Sequence, residues 1–307
     1  MSSKGALLVV GCGLIGSSLA RAAKRFGAMD RVLVADRDPQ VRDFVESSGV
    51  ADAVAPDLEA LAPEADVIAI CTPPGAIVEA AAAALATSGE ETAVFDVGSV
   101  KTPVAEGVAA KAGAAARRFV PAHPIAGTEQ SGPKAGFASL FEDRWCLLTP
   151  LEDADRDAVA RVEAFWRACY ARVAVMSPTE HDQLLAATSH APHLVAYALT
   201  ATAQSDDGLV NEAMANYSAG GFRDFTRIAA SDPVMWRDVF MQNAAATLVA
   251  LDKFEQRLAR LRKAVEAGDA AGLEALFAST RAVRAAIVAS GQETAAPDFG
   301  RPHPDEE

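Results

Sequence analysis

The chain has 307 residues, 50% of them hydrophobic and 22% charged, and a formal net charge of −13. This composition is typical of a soluble globular protein, and the length suggests two domains. A strongly acidic chain has no electrostatic footprint for nucleic acid or an anionic membrane surface, so neither is expected as a partner. An anionic small molecule would need a local basic pocket that works against the overall charge.

The cysteines indicate a reducing compartment. Cys12, Cys71, Cys146 and Cys169 form no CxxC pair and each lies in an apolar run, so we expect buried free thiols. The N-terminal residues lack the apolar core of a signal peptide, and no apolar run approaches the roughly 18 residues of a membrane span. We therefore expect a cytoplasmic protein.

The first 176 residues alternate predicted strands with predicted helices. Short apolar runs predict strands at residues 6–10, 31–35, 66–71, 92–97, 119–121, 145–149 and 172–176. Periodic patterns predict helices over residues 14–26, 39–48, about 75–87 and 155–171. This alternation is typical of a doubly wound parallel sheet, the Rossmann type of α/β fold.

After residue 176 the pattern becomes helical throughout. Long helical patterns cover residues 178–203, 236–267 and 270–290, and Ser177 with Glu180 would form a capping box at the first of them. The predicted organisation is a dinucleotide-binding domain, an all-α domain and a disordered tail rich in Pro, Asp and Glu, at residues 1–176, 177–291 and 292–307 respectively.

Several helices of the all-α domain are apolar on more than one face, as residues 244–251 illustrate. A domain this small cannot bury two faces of its helices by itself. We therefore expect the all-α domain to form the interface of a homodimer.

A glycine-rich turn follows the first strand. Gly11, Gly13 and Gly16 form a GxGxxG motif between a predicted strand and a predicted helix, which is the context of a dinucleotide site. Gly11 permits the tight turn, Gly13 lets the backbone approach a pyrophosphate, and Gly16 lets the helix pack closely on the strand. Leu14 and Ile15 begin the helix whose N-terminus would face the anion.

The end of the second strand indicates which dinucleotide is bound. Asp36 would accept hydrogen bonds from the adenosine ribose hydroxyls and would repel a 2′-phosphate, so NAD is favoured over NADP. Arg37 leaves NADP open, because an arginine at this position can bind the 2′-phosphate. Thr72, after the strand at 66–71, completes the predicted cofactor-binding set. A flavin is disfavoured, since nothing else in the chain suggests a flavin ring site.

Polar residues follow two later strands. Ser99 follows the strand at 92–97 at its carboxyl end, where such sheets bind ligands. It would contribute to the site, cap the helix that starts near Thr102, or do both. His123 lies between Pro121 and Pro124 after another strand, and a neutral imidazole accepts a proton near pH 7. We predict that His123 is a catalytic base.

Two histidines lie three residues apart in the helical half. His190 and His193 would share one helix face, a spacing that supports metal binding, but no third ligand is evident in the adjacent turns. We therefore predict no metal site. Contact with the substrate, contact across an interface and a structural role remain open for them.

Residues 220–236 place an arginine in apolar surroundings. Arg227 is flanked by Phe222, Phe225 and Ile228, which predicts burial, and Asp224 would pair with it if the segment is helical. A buried guanidinium binds a carboxylate bidentately. The alternative is a solvated or interfacial salt bridge.

Taken together, these motifs resemble one family. GCGLIG, DVGSVK, HPIAGTEQSG, SHAPH and GGFRDFTRIAASDPVMW occur in order over roughly residues 6–290 and resemble the prephenate/arogenate (cyclohexadienyl) dehydrogenases of tyrosine biosynthesis. The last motif and HPIAGTE are specific, whereas GxGxxG is not. The resemblance implies a nicotinamide-dependent oxidative decarboxylation of prephenate or arogenate to 4-hydroxyphenylpyruvate or tyrosine, and an all-helical dimerisation domain.

The resemblance also implies roles for individual residues. His123 matches the histidine that takes the proton of the ring hydroxyl, and Ser99 matches a serine that orients that hydroxyl and the nicotinamide. Arg227, held by Asp224, matches the arginine that binds a substrate carboxylate. The remaining matches are pocket positions, some at the entrance or across the dimer, namely Thr128, Glu129, His193, Gly220 and Trp236.

Two other functions are compatible with a dinucleotide site. A dehydrogenase or imine reductase of similar architecture would act on another small acid, but many such enzymes use a lysine of the helical domain, and residues 135–252 contain none. A redox sensor would bind NAD without turnover. The sequence leaves both prephenate and arogenate open as substrates, because a few pocket contacts decide between a keto and an amino group.

Overall fold

The structure is a computed structural model and describes residues 4–128, 130–204 and 211–289. By its internal contacts the chain divides into two compact units, residues 1–247 and residues 248–307. The predicted tail at residues 292–307 lies outside the described residues.

Eight strands occur in the described part of the first unit. In chain order they are β1 Ala6–Val10, β2 Arg31–Ala35, β3 Ala53–Ala55, β4 Val67–Ile70, β5 Ala93–Asp96, β6 Ala122–Pro124, β7 Trp145–Leu148 and β8 Arg172–Val175. The first five form a parallel sheet in the order β3-β2-β1-β4-β5. The predicted Rossmann-type fold class is confirmed.

The α-helices alternate with these strands and then continue alone. They are α1 Leu14–Arg25, α2 Pro39–Ser48, α3 Ile77–Thr87, α4 Thr102–Ala112, α5 Arg156–Ala168, α6 Pro178–Leu185, α7 Ala191–Ala201, α8 Glu212–Tyr217, α9 Gly220–Thr226, α10 Pro233–Gln242, α11 Ala244–Glu266 and α12 Ala270–Ile287. Short 3₁₀ turns lie at Leu58–Ala60, Ala62–Glu64, Pro74–Ala76, Gly113–Arg118, Pro133–Ala135, Ala138–Phe141 and Arg227–Ala230.

The central strand explains why helices cover both faces of the parallel sheet. All five residues of β1 are buried. Leu7 and Val9 belong to a core that includes side chains of α1 and α5, whereas Leu8 and Val10 belong to a second core with α3 and α4. A strand buried on both faces is a continuous apolar run, which is why the sequence pattern located it.

The later strands do not extend the parallel sheet, contrary to the simplest interpretation of the alternation. β6, β7 and β8 form a separate sheet in which β6 runs antiparallel to β7, and β7 runs parallel to β8. Phe119 makes only an isolated bridge to Val94. Pro121, two residues later, has no backbone N–H with which to continue that ladder. Pairing with β5 therefore ends there, and β6 begins at Ala122.

The long helical patterns after residue 176 are interrupted at two places. A π-helical turn, Ala186–His190, separates α6 from α7, and a break at Asn243 separates α10 from α11. The predicted capping box is confirmed, since Ser177 and Glu180 bond each other's backbone N–H. The interruptions matter because the residues that form them carry side chains of the candidate site.

All four cysteines are free, as predicted. Cys12, Cys146 and Cys169 are buried, while Cys71 is half-buried. Burial raises the pKa of the Cys12 and Cys169 thiols to about 12. These groups are therefore neutral and unreactive at ordinary pH.

The described residues of the second unit leave many apolar side chains exposed on α11, on α12 and at the residue that follows α12. They are Leu248, Val249, Phe254, Leu258, Val265, Phe277, Val283, Ile287 and Val288. None of the described helices has both the length and the apolarity that a membrane span requires.

Trp166 is the largest fully buried side chain and gives a test of the first core. It packs edge-on against Phe95, Phe141 and Phe165. We expect Trp166→Ala to lower the free energy of unfolding by about 3–5 kcal/mol, because burial is lost and a cavity is left. Urea denaturation measures the difference. Arg167→Ala, an exposed neighbour on the same helix, is the matched control, and equal loss in both variants would contradict this account.

Candidate functional site

The glycine-rich turn has one closed and one open side. Gly11 adopts φ +88°, and a Cβ there would lie 2.9 Å from the Cys71 carbonyl oxygen. A Cβ on Gly16 would lie 2.1 Å from the Gly11 carbonyl oxygen. At Gly13, by contrast, no described atom lies within 4 Å of the Cβ position. The turn therefore needs glycine at its first and third positions and leaves space beside the second.

The N-terminus of α1 opens into that space. Gly13 caps the helix without a side-chain hydrogen bond, and the first turn, which begins with Leu14 and Ile15, contains no acidic residue. The backbone N–H groups of a first helical turn lack intrahelical partners, and the helix dipole favours an anion there. This end of the twelve-residue helix has the properties of a pyrophosphate site.

A carboxylate lies at the edge of the same turn. Asp36 accepts a hydrogen bond at Oδ2 from the Cys12 backbone N–H at 2.7 Å and another at Oδ1 from the Asp38 N–H at 2.9 Å. Its orientation is thereby fixed, while lone pairs remain for further donors. The side chain of Arg37 is exposed.

Thr72 adds an unsatisfied hydroxyl after β4. Its Oγ1 is buried and has no hydrogen-bond partner among the described residues. A buried hydroxyl without a partner is costly, and a bound ligand would satisfy it. These four features together fit a dinucleotide: the glycine-rich turn, the N-terminus of α1, the fixed carboxylate of Asp36 and the hydroxyl of Thr72.

His123 lies on β6 and begins a chain of three side chains. Its Nδ1 is 2.9 Å from Nε2 of His181, and Nδ1 of His181 is 2.8 Å from Oδ1 of Asp182. Burial lowers the pKa of His123 well below its usual value, and the positive charge of Lys101 lowers it further. His123 is therefore neutral at pH 7, as a proton acceptor must be.

Asp182 also caps α4. Its Oδ1 accepts from the Lys101 backbone N–H and its Oδ2 from the Thr102 N–H, both at 2.8 Å. Asp182, and not Ser99, therefore supplies the side-chain cap of this helix. Ser99 is half-buried in the turn between β5 and α4. Its hydroxyl is therefore available to a ligand.

A fully buried ion pair joins the two sheets beneath this turn. Lys101 Nζ contacts Asp96 Oδ2, and both side chains have no exposed area. Nζ also donates to the Ala122 carbonyl at 2.7 Å, while Asp96 accepts the backbone N–H of Gly98 at 2.8 Å. The pair thus holds the Ser99 turn and the residue before His123 in one position.

Trp236 and two histidines form the helical side of the site. The His193 ring stacks on the Trp236 indole with 3.6 Å between centroids, and His193 Nδ1 donates to the Ser189 carbonyl at 2.8 Å. His190 is buried, with its Nδ1 3.1 Å from Asn243 Nδ2. Asn243 also donates to the Asp182 carbonyl at 2.9 Å, and Val100 packs against Trp236.

Arg227 departs from its predicted burial. In the single chain Arg227 and Asp224 are both exposed, Phe225 is 48% exposed, and the neighbouring Phe222 and Ile228 are only half-buried. The reason is that α9 has only seven residues, and it and the following 3₁₀ turn pack on α7 with one side. The prediction of a buried arginine was therefore wrong for the single chain.

Arg227 nevertheless lies close enough to His193 for its charge to act on that ring. Burial lowers the pKa of His193, and the positive charge of Arg227 lowers it further. Gly220 begins α9 at an exposed position with open space around it. Thr128 is half-buried, and its Oγ1 accepts the Gln130 N–H at 3.2 Å. Glu129 lies outside the described residues.

Within residues 4–128, 130–204 and 211–289, no three His, Cys, Asp or Glu side chains are arranged to hold a metal ion. His190 and His193 instead bond Asn243 and a backbone carbonyl.

Comparison with known proteins identifies the family. The model of the prephenate dehydrogenase nucleotide-binding domain matches residues 19–175, and the model of the prephenate dehydrogenase dimerization domain matches residues 177–279. The chain belongs to the prephenate dehydrogenase family. The resemblance of its motifs to that family is thus confirmed.

Individual members of the family support the assignment over nearly the whole chain. A cyclohexadienyl dehydrogenase of Zymomonas mobilis is 37% identical, over 92% of this chain and 95% of its own. The prephenate dehydrogenase of A. aeolicus, solved with hydroxyphenyl propionate and NAD⁺, is 31% identical with a TM-score of 0.85, over 92% and 98%. The arogenate dehydrogenase of Synechocystis is 28% identical with a TM-score of 0.77, over 92% and 99%.

Several polar residues of this prephenate dehydrogenase family member were missed from sequence. His181, Asp182 and Asn243 carry no local motif, and their role depends on contacts with distant residues. Asp96 and Lys101 had a usable signal, since opposite charges bracket the turn that holds Ser99 at the carboxyl end of an apolar strand.

The buried neutral histidines make stability depend on pH. Burial lowers the pKa of His190 from 6.5 to about 4. Because the folded-state pKa is the lower one, the unfolded chain binds more protons below pH 6.5. The contribution of neutral His190 is complete above pH 6.5 and is lost as pH falls toward 4.

We expect His190→Gln to reduce the pH dependence of stability by about one proton between pH 6 and 4.5. Urea denaturation at several pH values gives the slope for the parent and the variant. Thr188→Ala, in the same π turn but without a titrating group, should keep the parental slope. Identical slopes in the parent and His190→Gln would show that His190 titrates normally.

Proposed function

We propose that this protein catalyses the NAD-dependent oxidative decarboxylation of prephenate, of arogenate, or of both, giving 4-hydroxyphenylpyruvate or tyrosine. The observation that carries the proposal is the position of His123. A neutral imidazole lies on β6, linked through Lys101 to the turn after β5, and bonded to a histidine of the helical part. We infer that this imidazole is the base that acts between the bound cofactor and the ring hydroxyl.

NAD is the proposed cofactor, and NADP is less suitable. When bound, its nicotinamide accepts a hydride from the ring carbinol. Gly11, Gly13 and Gly16 with the N-terminus of α1 would hold the pyrophosphate. Asp36 would bind the ribose hydroxyls, and its fixed negative charge disfavours a 2′-phosphate. The similar protein of A. aeolicus was solved with NAD⁺.

The residues of the protein then need only to accept one proton and to orient the reacting groups. His123 accepts the proton of the ring hydroxyl as the O–H electron pair forms the carbonyl, and Ser99 and Thr72 orient the reacting groups. The resulting ketone is a vinylogous β-keto acid, so carbon dioxide leaves and the ring becomes aromatic. A positioned general base contributes about 10²–10⁴-fold to such a step.

The substrate carboxylate is proposed to bind Arg227, with Asp224 orienting the guanidinium. The half-buried His193, whose ring stacks on the buried Trp236 indole, would contact the substrate ring. The remaining pocket positions carried over from the family are Thr128, Glu129 and Gly220.

The exposure of Arg227 agrees with a pocket that a second copy completes. We propose a cytoplasmic homodimer built on residues 177–291, with residues 1–176 binding the dinucleotide. The exposed apolar side chains of α11 and α12 support a dimer, because apolar surface that a single chain leaves exposed is typical of protein–protein interfaces.

The decisive experiment measures NADH formation with purified protein, NAD, and prephenate or arogenate, with NADP as the comparison. We expect turnover with at least one substrate and a preference for NAD. His123→Asn should lower kcat about 10²–10⁴-fold while the Kd for NAD stays unchanged. Absence of turnover with both substrates despite NAD binding would contradict the proposal, and full activity in His123→Asn would remove His123 from the mechanism.

We expect Arg227→Ala to raise KM roughly 10- to 100-fold, because a hydrogen-bonded charged contact is worth about 1.5–3 kcal/mol. The value of kcat should change less. Steady-state kinetics test this, with Arg223→Ala as the matched control, since Arg223 is an exposed arginine of α9, the short helix that ends just before Arg227. Equal KM values in Arg227→Ala and the parent would mean that Arg227 does not bind the substrate.

A further inference from the structure

The chain Asp182–His181–His123 has one consistent direction of hydrogen bonding. An ionised carboxylate only accepts, so Nδ1 of His181 carries the proton that bonds Asp182 Oδ1 at 2.8 Å. Neutral His181 then has a lone pair on Nε2, which accepts a hydrogen bond from the Nδ1–H of His123 at 2.9 Å. A neutral His123 with its proton on Nδ1 has its lone pair on Nε2.

This direction requires an ionised Asp182 and a neutral His181, and the surroundings of both side chains favour these states. Burial alone would raise the pKa of Asp182, but hydrogen bonds from His181, Lys101 and Thr102 outweigh it and lower the pKa. Burial lowers the pKa of His181, although Asp182 opposes this. Both side chains are buried, and Asp182 is fixed by two backbone N–H groups of α4. The chain therefore begins at an immobile anion.

His123 needs such an anion because its other neighbours disfavour a positive charge. Lys101 and His190 lower its pKa from two different elements, and the Cys146 thiol on the adjacent strand is kept neutral by burial. The charge of Asp96 is already paired with Lys101. Asp182, acting through His181, is thus the group that can offset the charge His123 acquires when it takes a proton at Nε2.

We propose that His181, anchored by Asp182, is a positioning residue that holds the proton of His123 on Nδ1 and so presents Nε2 as the base. The inference rests on the proposed function for its catalytic consequence. No proton needs to move along the chain: the O–H bond of the substrate breaks, an Nε2–H bond forms, and the Nδ1–H continues to donate to His181.

Three variants test the proposal by activity. His181→Phe removes the acceptor and should lower kcat roughly 10²-fold, within the range of a general base, with KM changed less than about threefold. His181→Gln restores a carbonyl acceptor near the Nε2 position, and its kcat should be at least tenfold higher than that of His181→Phe. Ser177→Ala removes the cap of the same helix α6 and should lower stability while leaving kcat unaltered.

The pH profile separates positioning from a structural role. Without His181 the imidazolium of His123 loses its link to Asp182, so its pKa falls further and the acid limb of kcat moves to lower pH. Ser177→Ala should keep the parental limb. The proposal would be overturned if His181→Phe kept the parental kcat and the parental acid limb of the pH profile. It would also be overturned if His181→Gln lost as much activity as His181→Phe.

A measurement without substrate distinguishes failure of this inference from failure of the proposed function. Ring ¹⁵N chemical shifts of histidine-labelled protein report the tautomer of His123, assigned by comparison with His123→Asn. We expect the Nδ1–H form in the parent and a mixture in His181→Phe. Nε2–H in the parent would refute the inference even if prephenate is turned over, and Nδ1–H without turnover would leave it standing while the proposed function fails.

Discussion

A single buried carboxylate holds the parts of the candidate site together. Asp182 caps α4 with both of its oxygens, bonds His181, and through its backbone carbonyl receives Asn243. It thereby connects helices that follow residue 176 with the turn that carries Ser99 and with the strand that carries His123. The two carboxylate oxygens accept three N–H donors at once, from Lys101, Thr102 and His181, which suits an ionised carboxylate because it accepts several hydrogen bonds and donates none.

Buried charge in this site is arranged in pairs, and burial keeps its histidines neutral. Asp96 compensates Lys101 beneath the Ser99 turn, and the N–H groups of α4 and His181 compensate Asp182. In a chain of net charge −13, the exposed cationic Arg227 is the residue that we propose binds the anionic substrate.

Irregular backbone at the ends of helices brings these groups into contact. The π turn at Ala186–His190 directs His190 toward Asn243, and the break at Asn243 places its amide between His190 and Asp182. In regular helices through both segments, these side chains would point in other directions and would not make these hydrogen bonds. π-helical turns are frequent at functional sites, and here the distortion is satisfied by side-chain hydrogen bonds.

The sequence by itself determined the features that are encoded locally. The strand–turn–helix around Gly11, Gly13 and Gly16, the apolar strands buried on both faces, the capping box at Ser177 and the motifs of the family all lie within short segments. Tertiary structure alone decided the separate sheet of β6, β7 and β8, the exposure of Arg227, and the chain from Asp182 to His123. Asp182 meets Thr102 across 80 residues of sequence and His181 meets His123 across 58. No periodicity or motif encodes such contacts, because they exist only after the helices have packed on the sheets.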